Sequence, residues 1–78
     1  MALIIPLDIE DKPKECLIEL RDIVEGRVIS EIFRGRCQPG LHEIPFDPSS
    51  VNGLEAGLYA LFVTIDGHTE SFPIQYMP

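Results

Sequence analysis

The chain predicts an all-β fold, a small antiparallel sandwich of six to seven strands, on three observations. Apolar residues recur at every second position in short runs, turn residues punctuate those runs at intervals of about ten residues, and β-branched side chains are dense where the runs fall. The 78 residues are 45% hydrophobic and 24% charged, with seven Pro and six Gly, the composition of one turn-rich domain spanning 1–78. A chain of this length has room for a single core and no second domain.

Ala2 to Ile9 reads as the first strand, ended by the charged, proline-bearing run Glu10-Asp11-Lys12-Pro13-Lys14. Pro6 lies inside it, and a residue with no N–H belongs on a sheet edge. Glu15 to Asp22 alternates, with Cys16, Ile18 and Leu20 on one side, Glu19 and Arg21 on the other, and Leu17 as an apolar exception. A helix over Lys14 to Phe33 is the rival, since Leu17, Leu20, Val24, Val28 and Ile32 recur at three and four. Gly26, the β-branched density and the lack of capping residues favour strands.

Gly26 then supplies the left-handed position of a hairpin turn, and Arg27 to Arg34 returns as the third strand. Gly35 to Pro39 reads as a polar connector. Gly40 to Phe46 is the fourth strand, with His42, Ile44 and Phe46 on one face and Leu41, Glu43 and Pro45 on the other. Asp47 to Gly53 is a turn cluster long enough to carry the chain between sheets, with Val51 and Leu54 tucked beneath it. Gly57 to Ile65 is apolar on both faces apart from Thr64, hence central and covered on both sides. Asp66-Gly67 is a two-residue hairpin signal, and Thr69 to Tyr76 returns as the sixth strand.

This pattern is of the immunoglobulin or fibronectin type III kind, without the Cys-Trp-Cys arrangement of antibody domains. The stretch Gly40 to Asp47 and its echo Gly57-Leu58-Tyr59 are expected to form the middle of the sandwich. Gly26, Gly40, Phe46, Asp47, Gly57 and Tyr59 are the structural positions of this reading. Asp47 is expected to accept backbone N–H bonds from the loop it opens. Ile44, Phe46, Tyr59, Leu61, Val63, Phe72 and Ile74 are the expected core.

The formal net charge of −7 is uneven: all six Lys and Arg fall at or before Arg36. An acidic second half repels nucleic acid and anionic membrane, and the bases interleave with acids instead of forming a stripe. The start Met-Ala-Leu-Ile-Ile-Pro-Leu-Asp has no charged leader region, and Pro6 and Asp8 break its apolar run. Neither a signal peptide nor membrane insertion is expected. The compartment stays open between the cytoplasm and a subunit of an exported or particle assembly. A hairpin about Glu25-Gly26 sets Cys16 opposite Phe33 to Gly35 and away from Cys37, an offset that predicts free thiols.

No constellation for chemistry assembles. His42 and His68 lack a second ligand at metal spacing, and Asp8, Glu10 and Asp11 lack the looped run that supplies calcium with six or so oxygens. Neither a Gly-x-Ser-x-Gly elbow nor a Cys-His pair with an orienting acid is present. No enzyme activity, metal or other cofactor is expected.

The order Leu7 before Lys12-Pro13, Cys16-x-Ile18-x-Leu20, Gly26-Arg27-x-Ile29, Gly40-x-His42-x-Ile44-x-Phe46-Asp47 and Gly57-x-Tyr59 resembles a known family. It is similar to the immunoglobulin-like domain of the flagellar hook-capping protein and to the C-terminal sorting domains of type IX secretion. The chain departs from that pattern in carrying Phe46 where a tryptophan is usual, Pro48 where a glycine is usual, and no basic residues near its last strand.

Size, absent chemistry and the resemblance together imply a non-enzymatic structural or adaptor module. It is expected to pack by sheet faces or an edge strand, on a protein partner or on itself. Leu3, Ile5 and Leu7 on the first strand, with Leu17, Leu58 and Phe62 as an outward apolar patch, are the candidate contact residues. Cover of that patch by the loop from Asp47 to Ala56 is the bland alternative. The functional alternative is a recognition or sorting domain that binds a secretion component or carbohydrate through the 47–56 loop.

Overall fold

The computed structural model describes residues 3–77. Six strands follow in order: β1 (Leu3–Ile9), β2 (Lys14–Asp22), β3 (Val28–Cys37), β4 (Gly40–Phe46), β5 (Gly57–Ile65) and β6 (His68–Tyr76). All pairings are antiparallel, with β1-β4 as a two-stranded sheet and β3-β2-β5-β6 as a four-stranded one. The fold is all-β and sandwich-like, with six strands. Ala2, assigned to the first strand on sequence, lies outside the described residues.

The core forms between the sheets from the inward residues of every second position. Ile5, Leu7 and Ile9 of β1 meet Cys16, Ile18 and Leu20 of β2, with Cys37, Phe46, Leu61 and Val63 completing the cluster. Burying each large aliphatic stabilises the fold by about 1.5–3 kcal/mol. The expected core was therefore too narrow: β1 and β2 supply much of it, and Phe72 is 48% exposed. Val51 and Leu54 do pack beneath the 47–56 loop against this cluster.

Three strand readings need correction. The third strand runs on to Cys37, so Gly35 to Cys37 is ladder and not connector, with Gly35 opposite Cys16 and Cys37 opposite Lys14. The fourth and fifth strands are not joint members of a central layer. β4 belongs to the two-stranded sheet, and β5 sits between β2 and β6 in the other. β5 is covered on its core face and only in part on its outer face, where Ala60 is buried but Leu58 is 56% exposed.

The β2–β3 register slips between Ile18 and Glu19, leaving Ile32 as the extra residue, and slips again between Leu20 and Arg21. Such bulges bend and twist an edge strand. The turn before β3 uses Gly26 at φ 73, closed by Gly26 N–H to Asp22 O at 2.8 Å. Between β5 and β6, Asp66 (φ 47) and Gly67 (φ 85) both take left-handed backbone, as a type I′ hairpin requires. Asp66 also ties this hairpin to the start of β2. Its N–H donates to Glu15 O at 2.9 Å, and its Oδ1 accepts from Glu15 N–H at 3.0 Å.

Candidate functional site

Two strands cannot roof four. Tyr59, Leu61, Val63 and Ile65 of β5 face Ile74, Phe72, Glu70 and His68 of β6 across the ladder. Directly opposed residues share a face, so the inner side of β6 points toward the space beside β1. Ile74 is half-buried there, but Phe72, Glu70 and His68 are exposed. The result is a groove of about 540 Å³ between β1 and β6, with Ile5, Leu7, Leu61, Val63 and Phe72 among its apolar lining and Asp8, His68 and Glu70 as its polar members.

The groove is electrostatically one-sided. β1, β4, β5 and β6 contain no Lys or Arg; the bases lie on β2, β3 and the turns next to them. Asp8 and Glu70 make no ion pair or side-chain hydrogen bond among the described residues. The four arginines pair with neighbouring acids, Arg21 with Glu19, Arg27 with Glu25, Arg34 with Glu31 and Arg36 with Glu15. Glu19 faces Glu31 directly across β2–β3, a like-charge pairing that Arg21 offsets at 2.6 Å from Glu19 and Arg34 at 2.9 Å from Glu31.

A second hollow, of about 450 Å³, opens beside the 47–56 loop, with Asp22, Arg27, Asn52, Glu55 and Tyr59 among its lining. Asp47 caps the 3₁₀ turn Pro48–Ser50 at its start, its Oδ1 accepting from Ser49 N–H at 3.0 Å and from Ser49 Oγ–H at 2.7 Å. Those bonds, the side-chain one first, hold its carboxyl below the usual range. Tyr59 O–H donates to Glu55 O at 2.5 Å and ties the far end of the loop to β5.

The candidate contact residues separate into two groups. Ile5 and Leu7 are buried in the core and line the floor of the groove beside β1, and Leu3 is half-buried against the same cluster. Leu17 and Phe62 are half-buried on the outer face of the larger sheet, where the Arg21 guanidinium lies 4.3 Å from the Phe62 ring centre. Leu58, on the same face, stays exposed. Arg21 thus covers part of the outward patch, and Leu58 borders the hollow beside the 47–56 loop. Gly40 (φ 125) and Gly57 (φ 154) open their strands as positive-φ positions, and Phe46 is buried.

Sequence reasoning missed the groove, Glu70 within it and Arg21 over Phe62. Glu70 carried a readable signal, since it is the one acid sharing alternation parity with Phe72 and Ile74. His42 is half-buried on the inner side of β4, its Nε2 2.6 Å from Gln38 O, and His68 opens β6 rather than sitting in the turn. Among the described residues no group of three or more His, Cys, Asp or Glu is placed to hold a metal ion. No family model matches the chain, and comparisons with curated proteins and with solved structures find no match either.

Proposed function

We propose that the chain is a non-enzymatic structural or adaptor module that packs into a larger protein assembly. The observation that carries this is the uncovered inner face of β6, where Phe72 is 48% exposed beside a two-stranded roof. The resemblance to the hook-cap sandwich and to sorting domains supports the same reading, as a module of assembly or export. Its partner is another protein or a further copy of itself.

Packing by faces is favoured over pairing by edges. A proline nitrogen has no proton, so the β1–β4 ladder bonds run through the Leu3, Ile5, Leu7 and Ile9 pairs, which turns Pro6 and Pro45 toward the two free edges. The same parity turns Pro73 to the free edge of β6, and β3 is guarded by its two register slips. Each of these devices weakens continuous main-chain pairing at an edge and leaves contact to side chains and faces. The native mass of the particle that contains the chain tests the reading. A stable association is expected, and a monomer that co-purifies with nothing and stays monomeric at high concentration overturns it.

The hollow beside the 47–56 loop favours one second reading, a recognition or sorting domain for a secretion component or a carbohydrate. Polar groups converge there from Asp22, Arg27, Asn52 and Glu55. Fusion of the chain to a reporter tests it, with export or retention on glycans as the expected result and loss of both as the outcome that removes it.

A further inference from the structure

We propose that the groove between β1 and β6 receives an extended, cationic segment of a partner protein, with apolar side chains at alternate positions and Lys or Arg between them. The proposal rests on the reading of the chain as a packing module and names the chemistry of what it packs against. Three observations carry it.

First, the space lies beside the free edge of β1, where a third strand of the smaller sheet would run. The roof is β1-β4 and the floor is β3-β2-β5-β6, so two strands face four. A strand laid beside β1, at the usual spacing of about 4.8 Å, covers β6 and meets Leu61, Val63 and Phe72 with every second side chain. Six strands in two sheets are also one short of the seven-stranded sandwich.

Second, the charge fits a cation and rejects a second copy seated groove to groove. Asp8 stands on one bank and Glu70 on the other, neither carries an ion pair among the described residues, and no Lys or Arg lines the groove. Glu70 lies on the core-facing side of β6, beside Val63. A carboxylate there is tolerated in water; on closure it needs a partner cation, because an unpaired charge is costly to bury. Two such grooves face to face bring four carboxylates together with no base.

Third, Pro6 limits what the backbone can do. On the free edge of β1 the main chain of Ile4, Pro6 and Asp8 is turned outward, and the middle one of the three has no donor. Ladder bonding is interrupted at its centre, so apolar anchors and rim charges set the affinity and the segment's sequence sets the specificity.

The test uses the 15N-labelled full chain and two synthetic seven-residue peptides, the length of β1, one alternating Leu with Lys and one alternating Leu with Glu. The Leu-Lys peptide is expected to shift the amide resonances of Ile4, Asp8, Glu70 and Phe72 saturably, less so in about 0.5 M salt, while the Leu-Glu peptide does not. Asp8 and Glu70 are exposed, so the double variant Asp8→Lys, Glu70→Lys keeps the fold. It is expected to lose roughly tenfold or more in affinity for Leu-Lys and to gain binding of Leu-Glu. Phe72→Ser weakens Leu-Lys binding without altering the dispersion of the spectrum. Absence of shifts, shifts confined to β2 and β3, or an affinity indifferent to the charge reversal overturns the proposal. So does a peptide-free doubling of mass that the charge reversal abolishes, since it makes a second copy the occupant. A native assembly that survives the charge reversal sinks the groove while keeping the packing module; groove binding by a chain that joins no assembly does the reverse.

Discussion

Cys16 and Cys37 stand one diagonal step apart on the core side of the β2–β3 ladder, Cys16 opposite Gly35 and Cys37 opposite Lys14. Both are free and buried. Diagonal neighbours on an antiparallel pair lie about 7–8 Å apart, outside the range a disulfide spans. Burial first, and then the hydrogen bond with Cys37, push the Cys16 thiol up to about 11. The folded chain therefore holds a proton that the unfolded chain releases near 9. Stability from this group is fully present below that lower value and is lost as pH rises toward the upper one. Urea midpoints are expected to fall between about pH 8 and pH 10.5, and Cys16→Ala flattens that limb. Ellman's reagent at about pH 8 is expected to find both thiols only after unfolding, and fast titration in the native state refutes their placement.

Packing separates residues that composition treats alike. Leu20 and Ile18 are fully buried, whereas Leu58 is 56% exposed on the outer face of the larger sheet. Leu20→Ala is expected to cost about 2–5 kcal/mol and Ile18→Val about 0.5–1.5 kcal/mol. Leu58→Ala stays within about 0.5 kcal/mol. Chemical denaturation at a common slope reads all three, and a Leu58→Ala loss equal to that of Leu20→Ala means the faces are assigned wrongly.

Local alternation made most of the strands legible. Gly40 to Phe46 and Gly57 to Ile65 begin and end where the sequence puts them, because each is bounded by a turn glycine and by an aspartate or a proline. β3 was cut short for a local reason: Arg34 and Arg36 are polar, Gly35 is a weak strand former, and only the inward set Phe33, Gly35, Cys37 shows the period. The bulge at Ile32 also puts Glu31 and Arg34 on one face although they are three apart, which strict alternation forbids. What no local pattern encodes is how many strands each sheet receives. The groove arises from that count, so Phe72 reads as core in sequence and stands half in solvent in the fold.

The bond between Asp66 and Glu15 joins residues 51 apart in the chain, and a hairpin signal alone does not reveal it. Asp66→Ala removes the acceptor for Glu15 N–H and forces alanine into φ near 47. Asp66→Asn retains a side-chain oxygen and a residue that tolerates left-handed backbone. Alanine is expected to cost about 1 kcal/mol or more and asparagine clearly less. Hydrogen exchange locates the effect, with faster exchange at the Glu15 amide in the alanine variant. Equal protection in both variants means that the turn, and not the side chain, holds β2 to the hairpin.

Asp47 gives the loop between the two sheets its acid sensitivity. Its carboxylate accepts from the Ser49 hydroxyl and from the Ser49 N–H, which favour the charged form and lower its pKa. The unfolded chain takes up this proton at a higher pH than the folded chain does. The stabilisation is thus present above the ordinary aspartate range and lost as pH falls through the lowered value. Asp47→Ala is expected to reduce the melting temperature by a few degrees at neutral pH and little at strongly acid pH, where the wild-type carboxylate is itself protonated. Ser49→Ala removes the hydroxyl donor but leaves the backbone N–H, so it reproduces only part of the loss. Neither change touches the β1–β6 groove, whose lining excludes both residues. Thermal melts across pH test the cap, and a melting-temperature difference that persists undiminished in strong acid assigns the contribution of Asp47 to something other than its charge.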